Sequence, residues 1–170
     1  MEFSEYLLET NLARIHQHTQ GRNVGMITAH RGDKTPEENN KRNKELEHHI
    51  KKAGYGYVKV GGHYPEQHGD KTVHVKEKSY MVVGKHGDDK GDLKKFLTHH
   101  GAKHNQDSIL HKAHDEDDAK LHYTNNTSSN KKGDVESVGK FSPQKAGDYH
   151  SSIRGGKKTF AFESVMIYGL

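Results

Sequence analysis

The position that most suggests chemistry is Glu77, in the run Val73-His74-Val75-Lys76-Glu77-Lys78-Ser79-Tyr80. A carboxylate interrupts a stretch of β-forming residues where valine would cost less. If half-buried, it requires a cation or hydrogen-bond donors. A solvent-facing strand position explains it as well as a functional role does. Three other places put polar residues where the pattern is otherwise apolar: Thr28-Ala29-His30-Arg31, Gly62-His63-Tyr64 and Gln106-Asp107-Ser108.

Histidine offers a second chemistry, with 16 residues in the chain. His63, His68 and His74 flank one loop. His99, His100 and His104 surround a helix end, and His111 and His114 adjoin Asp115, Asp117 and Asp118. None of these groups has a zinc-ligand spacing such as His-Glu-x-x-His, so no metal is expected. There is no cysteine, which excludes disulfides, thiolate metal sites and a cysteine nucleophile. Gly54-Tyr55-Gly56 and Gly61-Gly62 lack the Gly-Lys-Ser/Thr that grips phosphate. Acidic residues break every basic run, so a nucleic-acid stripe is not expected.

The elements that must position these residues can be read in order. Residues 2–18 carry Phe3, Leu7, Leu8, Leu12 and Ile15 at helical spacing, with Ser4 placed to cap and Gly21 to stop. Residues 24–29 form a nearly continuous apolar run, typical of a buried strand. Thr35-Pro36-Glu37-Glu38 is a capping box, starting a helix that runs to about Ala53 with Leu46, Ile50 and Ala53 as its stripe. Tyr55–Val60 alternates as a strand, with Tyr55, Tyr57 and Lys59 on one face. Gly61–Pro65 breaks it, and a polar excursion runs to Lys71. The next strand spans residues 73–83. A helix over 92–100 ends at Gly101, and strands follow at 106–112 and 119–124. Residues 125–157 read as a long polar loop with local structure around Phe141 and Tyr149. Residues 158–168 are a final apolar strand.

The order over 23–112 is β-α-β-β-α-β. The expected fold is therefore α+β, a ferredoxin-like split β-α-β core. The expected organisation is an N-terminal helix (1–20), the core (21–124), a flexible loop (125–157) and a C-terminal strand (158–170). The composition is wet: 29% hydrophobic, 29% charged, formal charge +4 and mean hydropathy −1.10. A core in 170 residues is thin but feasible. No apolar run approaches the roughly 20 residues of a membrane helix, and no signal peptide is expected.

The four polar places, in this order, resemble the phage S-adenosylmethionine lyase family. They are Thr28-Ala29-His30-Arg31, Gly62-His63-Tyr64, Glu77-Lys78-Ser79 and Gln106-Asp107-Ser108-Ile109-Leu110. The resemblance covers roughly residues 23–124. It implies an enzyme that cleaves S-adenosylmethionine to methylthioadenosine and homoserine lactone without a cofactor. Tyr64 and Glu77 would be the catalytic pair, with Gln106, Asp107, Arg31 and Ser79 binding substrate. Arg31 has a structural role as its alternative. The resemblance also implies a homotrimer with sites between subunits, working in the host cytoplasm against methylation-dependent or restriction defence. Gly139, Lys140, Phe141 and Pro143 resemble a stretch of small tailed-phage proteins. Residues 3–9, ending Leu7-Leu8-Glu9, are similar to head-targeting segments of packaged phage proteins, although an ordinary docking helix explains them too. The competing reading is a non-enzymatic phage protein that binds a host protein or nucleic acid.

Overall fold

The computed structural model describes residues 20–142, 150–153 and 158–162; residues 61–68, 72–77, 140–142, 150–153 and 158–162 are described by their backbone alone. The expected helix over 1–20 lies outside the described residues, as do Tyr149 and residues 163–170. The chain is α+β. Its elements are β1 (Arg22–Ile27), α1 (Pro36–Lys52), β2 (Gly56–His68), β3 (Lys71–His86), α2 (Asp92–Lys103), β4 (Ser108–Lys112), β5 (Asp118–Tyr123), β6 (Val135–Ser142), β7 (His150–Ile153) and β8 (Lys158–Phe162). Neither described helix is long and apolar enough to cross a membrane.

The strand order is β1-β3-β2-β7-β8-β6-β5-β4, and the β1–β4 pairing closes it into a barrel. Every pairing is antiparallel. β1 and β4 are buried on both faces. Inside the barrel lie Met26, Val60, Met81, Leu110, Ala119, Leu121 and Val138. On the outer face Ile27, Tyr80, Val82 and Ile109 meet Leu46 and Ile50 of α1 and Leu93 and Leu97 of α2. One set of strands thus serves two cores, because successive strand residues point to opposite faces. This is how a chain with few apolar residues builds an interior.

The capping box forms as its spacing predicts. Glu38 N donates to Thr35 Oγ1 at 3.1 Å, Thr35 N donates to Glu38 Oε2 at 3.0 Å, and Pro36 opens the helix. Ala53 does not belong to the buried stripe: it is the exposed C-cap, and Gly54 at φ +82° turns the chain away behind it.

Three boundaries differ from expectation. β2 does not break at Gly61. It pairs with β3 without interruption from Gly56↔Val83 to His68↔Lys71, and the hairpin turns at Gly69 (φ +66°) and Asp70. A long partner strand outweighs the poor strand propensity of Gly61, Gly62 and Pro65. Gly101 does not cap α2 but lies within it. An added Cβ there would meet Ile109 Cγ2 at 2.7 Å and Thr124 Cγ2 at 3.0 Å, so glycine serves close packing of the helix on the sheet. The helix ends instead at His104, before Asn105 at φ +56°. Finally, 125–157 is not one loop: β6 and β7 fall inside it. β6 escapes a hydrophobicity reading because Val138 is buried while Val135 is 55% exposed.

Candidate active site

The first polar place, Thr28–Arg31, leaves the end of β1. Side chains hold each of its four residues. Thr28 Oγ1 donates to the Lys78 carbonyl at 2.6 Å and accepts from His30 N at 3.1 Å. Ala29 N donates to Asn43 Oδ1 and Arg31 N to Asn39 Oδ1, both at 2.9 Å. Asn39 Nδ2 returns a bond to the Arg31 carbonyl at 3.0 Å. Arg42 Nε donates to the Ala29 carbonyl at 2.8 Å, and its Nη2 reaches the His104 carbonyl.

The fourth place joins the first. Gln106 is buried, and its Nε2 donates to the carbonyls of His30 at 3.0 Å and His104 at 3.3 Å. Its own carbonyl accepts from Thr124 Oγ1 at 2.5 Å and Asn125 Nδ2 at 2.6 Å. Gln106 therefore ties two segments together through its side chain. Asp107 is exposed, and its backbone carbonyl accepts from Thr124 N at 2.8 Å. Arg31 donates from Nε to Asp33 Oδ1 at 3.0 Å and from Nη1 to the Asn105 carbonyl. The Arg31 hydrogen bond holds the Asp33 carboxyl below its ordinary value.

The second and third places meet in the β2–β3 hairpin. Gly62 is in register with Glu77, Tyr64 with Val75, and Val60 with Ser79. Tyr64 and Glu77 thus sit two rungs apart, with His63↔Lys76 between them, and their side chains lie outside the described residues. Ser79 is 1% exposed, and its Oγ has no hydrogen-bond partner among the described residues. It alternates with Tyr80 and shares the barrel-facing side of β3 with Met81. The Thr28–Lys78 bond joins this hairpin to the first place. All four places are therefore linked at one end of the sheet: Gln106 to His30, Thr28 to Lys78, Glu77 across to Gly62.

The histidine groups separate. His100 packs against Phe96 at 4.5 Å, His49 at 4.9 Å and His99 at 5.0 Å between ring centroids. Burial, then the neighbouring histidines, pushes its pKa down to about 4. His111 is also pushed down to about 4 by burial, beside His122 at 6.0 Å. His114 lies near Asp115, at 3.8 Å. Among the described residues no three His, Asp or Glu side chains converge as a metal site. The side chains of His63, His68 and His74 lie outside the described residues. A groove of about 670 Å³ beside Arg22, Tyr55, Tyr57, Lys85 and Asp92 lies at the other end of β1 and β3 from Thr28 and Ser79.

Asn39, Arg42 and Asn43 were not among the candidates from sequence. Their signal was present: Asn39 and Asn43 continue the Leu46–Ile50 stripe toward the helix N-terminus, and all four are buried. Polar residues on a buried stripe require partners, and the 28–31 backbone supplies them.

The S-adenosylmethionine lyase family model matches residues 25–163, a span that includes all four places. No curated protein matches the chain.

Proposed function

Because the chain belongs to the S-adenosylmethionine lyase family, we propose that it cleaves S-adenosylmethionine by an internal displacement. The substrate's carboxylate oxygen attacks its own γ-carbon, and the C–S bond breaks. The sulfur takes the bonding pair and leaves as neutral methylthioadenosine, while homoserine lactone retains the ammonium. The sulfonium is already a good leaving group, so no general acid is required. Catalysis then rests on holding the carboxylate in line with the C–S bond and keeping water out.

Tyr64 orients the methionyl part, and Glu77 pairs with the ammonium or sulfonium. Ser79, Gln106, Asp107 and Arg31 bind polar edges of the substrate or hold the segments that do. Gln106 and Arg31 suit the second role, since their nitrogens are engaged with backbone carbonyls and Asp33. The core is read as ferredoxin-like, supported by the β-α-β-β-α-β order and the sheet sequence β4-β1-β3-β2. A homotrimer with shared sites, a phage origin and a role in the host cytoplasm against methylation-dependent or restriction defence complete the proposal.

The observation that carries this reading is the family match across all four polar places. Incubation of purified protein with S-adenosylmethionine, followed by chromatography, tests it. Methylthioadenosine and homoserine lactone should appear together. Methylthioadenosine with homoserine alone from the earliest times would point to hydrolysis, and no methylthioadenosine would overturn the proposal.

A further inference from the structure

Arg42 lies on α1, outside the four polar places, yet its guanidinium joins one of them to the turn that leads into another. Its Nε donates to the Ala29 carbonyl at 2.8 Å and its Nη2 to the carbonyl of His104. The His104 carbonyl also accepts from Gln106 Nε2 at 3.3 Å, and the same Nε2 donates to the His30 carbonyl at 3.0 Å. Three carbonyls from two segments are thus gathered by Arg42 and Gln106. The segments are far apart in sequence, and neither is held here by the strand ladder: β1 ends at Ile27 and β4 begins at Ser108. On the far side, Thr28 passes the constraint to Lys78, between Glu77 and Ser79.

We propose that Arg42 is a positioning residue for the lyase reaction, setting from α1 the relative placement of 28–31 and 104–107 and, through Thr28, of 77–79. This rests on the reading of the chain as an S-adenosylmethionine lyase. The physical reason lies in the side chain. A guanidinium is a rigid planar fork whose donors point at two carbonyls at once, whereas an ammonium is a point charge on a flexible stem. Lysine at 42 keeps the charge and can hold either carbonyl, but does not fix the angle between them. A displacement reaction that depends on alignment is sensitive to small misplacement, with an ångström costing about 100-fold. Substrate binding, spread over many contacts, is less sensitive.

The test is Arg42→Lys, with Arg42→Gln as the second variant should the first fail to fold. Each is assayed for kcat and KM with S-adenosylmethionine and for thermal unfolding. The expected result is a kcat at least tenfold below wild type, a KM changed less than threefold, and Arg42→Gln more impaired than Arg42→Lys. The loss should persist well below the unfolding midpoint, where the variant is fully folded. Wild-type kcat in a folded variant, or a loss that only follows the unfolded fraction, would overturn the positioning role. An inactive wild-type protein would instead remove the lyase reading, and this inference with it.

Discussion

Gln106 Nε2 donates to the carbonyl of His30 at 3.0 Å, joining positions 76 residues apart in the chain. The same nitrogen reaches the His104 carbonyl, so one carboxamide closes the gap between the end of β1 and the start of β4.

Gln106→Leu keeps much of the bulk but removes this donor. The His30 carbonyl loses its bond to Nε2, and the His104 carbonyl keeps its bond from Arg42. Losing a buried partner costs about 1–3 kcal/mol. Urea unfolding should show a loss in that range with an unchanged m-value. A midpoint equal to wild type would show that the joint carries no stability.

Gly25 lies under α2. A Cβ there would come within 2.6 Å of the Leu110 carbonyl oxygen and would collide with Leu97 Cδ1. Leu97 can rotate, but the backbone of β4 can yield only by shifting. Gly25→Ala should therefore destabilise by about 1–3 kcal/mol, read as a lower thermal midpoint. A stability gain, the usual effect of Gly→Ala at an unstrained site, would show that α2 is not packed this closely.

Acid should destabilise the protein above the carboxylate range. His100 and His111 both titrate near 4 when folded, against an ordinary value of 6.5. Burial pushes His104 and His122 down as well. Below pH 6.5 the unfolded chain binds protons that the folded chain refuses, so stability is full at neutral pH and lost from about 6.5 down to about 4. His100 faces His49 from α1, and His99, Lys103 and His104 from its own helix and its end. Its protonation adds charge to a largely cationic group. Melting curves at pH 7.5, 6 and 5 should fall steadily, and His100→Phe should flatten the decline. An equal decline in the variant would place the acid sensitivity elsewhere.

Glu77→Gln keeps the shape of the residue and removes its charge. If Glu77 pairs with the cationic end of S-adenosylmethionine, kcat/KM should fall at least tenfold, about 1.4 kcal/mol of a charge-assisted contact. Turnover within twofold of wild type would return Glu77 to an ordinary strand position.

The assembly prediction is a trimer. Sedimentation equilibrium at micromolar concentration should give three times the 19.2 kDa chain mass. Open strand edges do not drive the assembly, since the strands pair round a closed barrel. The trimer is expected from the family resemblance alone, and a single 19.2 kDa species would exclude it.

Local signals were strong enough to be read directly. The Thr35–Glu38 capping box, the apolar run of β1 and the Leu46–Ile50 stripe each depend on neighbours a few residues away. The four polar places also stood out in sequence, because polar residues in apolar strand contexts are costly wherever they lie. Gly101 and β6 differ from expectation for the opposite reason. Glycine after a helical run reads as a stop, and only Ile109 and Thr124, brought close by folding, show it to be a packing residue. Pairing with β5 makes β6 a strand, with little hydrophobicity of its own.

Sequence alone thus determined which residue types were available for chemistry and the order of elements through β4. It also determined the start of α1, since capping and periodicity act over three or four residues. Tertiary structure decided what joins those residues. Thr28 meets Lys78, Gln106 meets His30, and Arg42 spans Ala29 and His104. These are bonds between side chains and backbone carbonyls, and every residue carries such a carbonyl. No residue type marks which one will be reached until the β1–β3 and β1–β4 pairings bring the segments together.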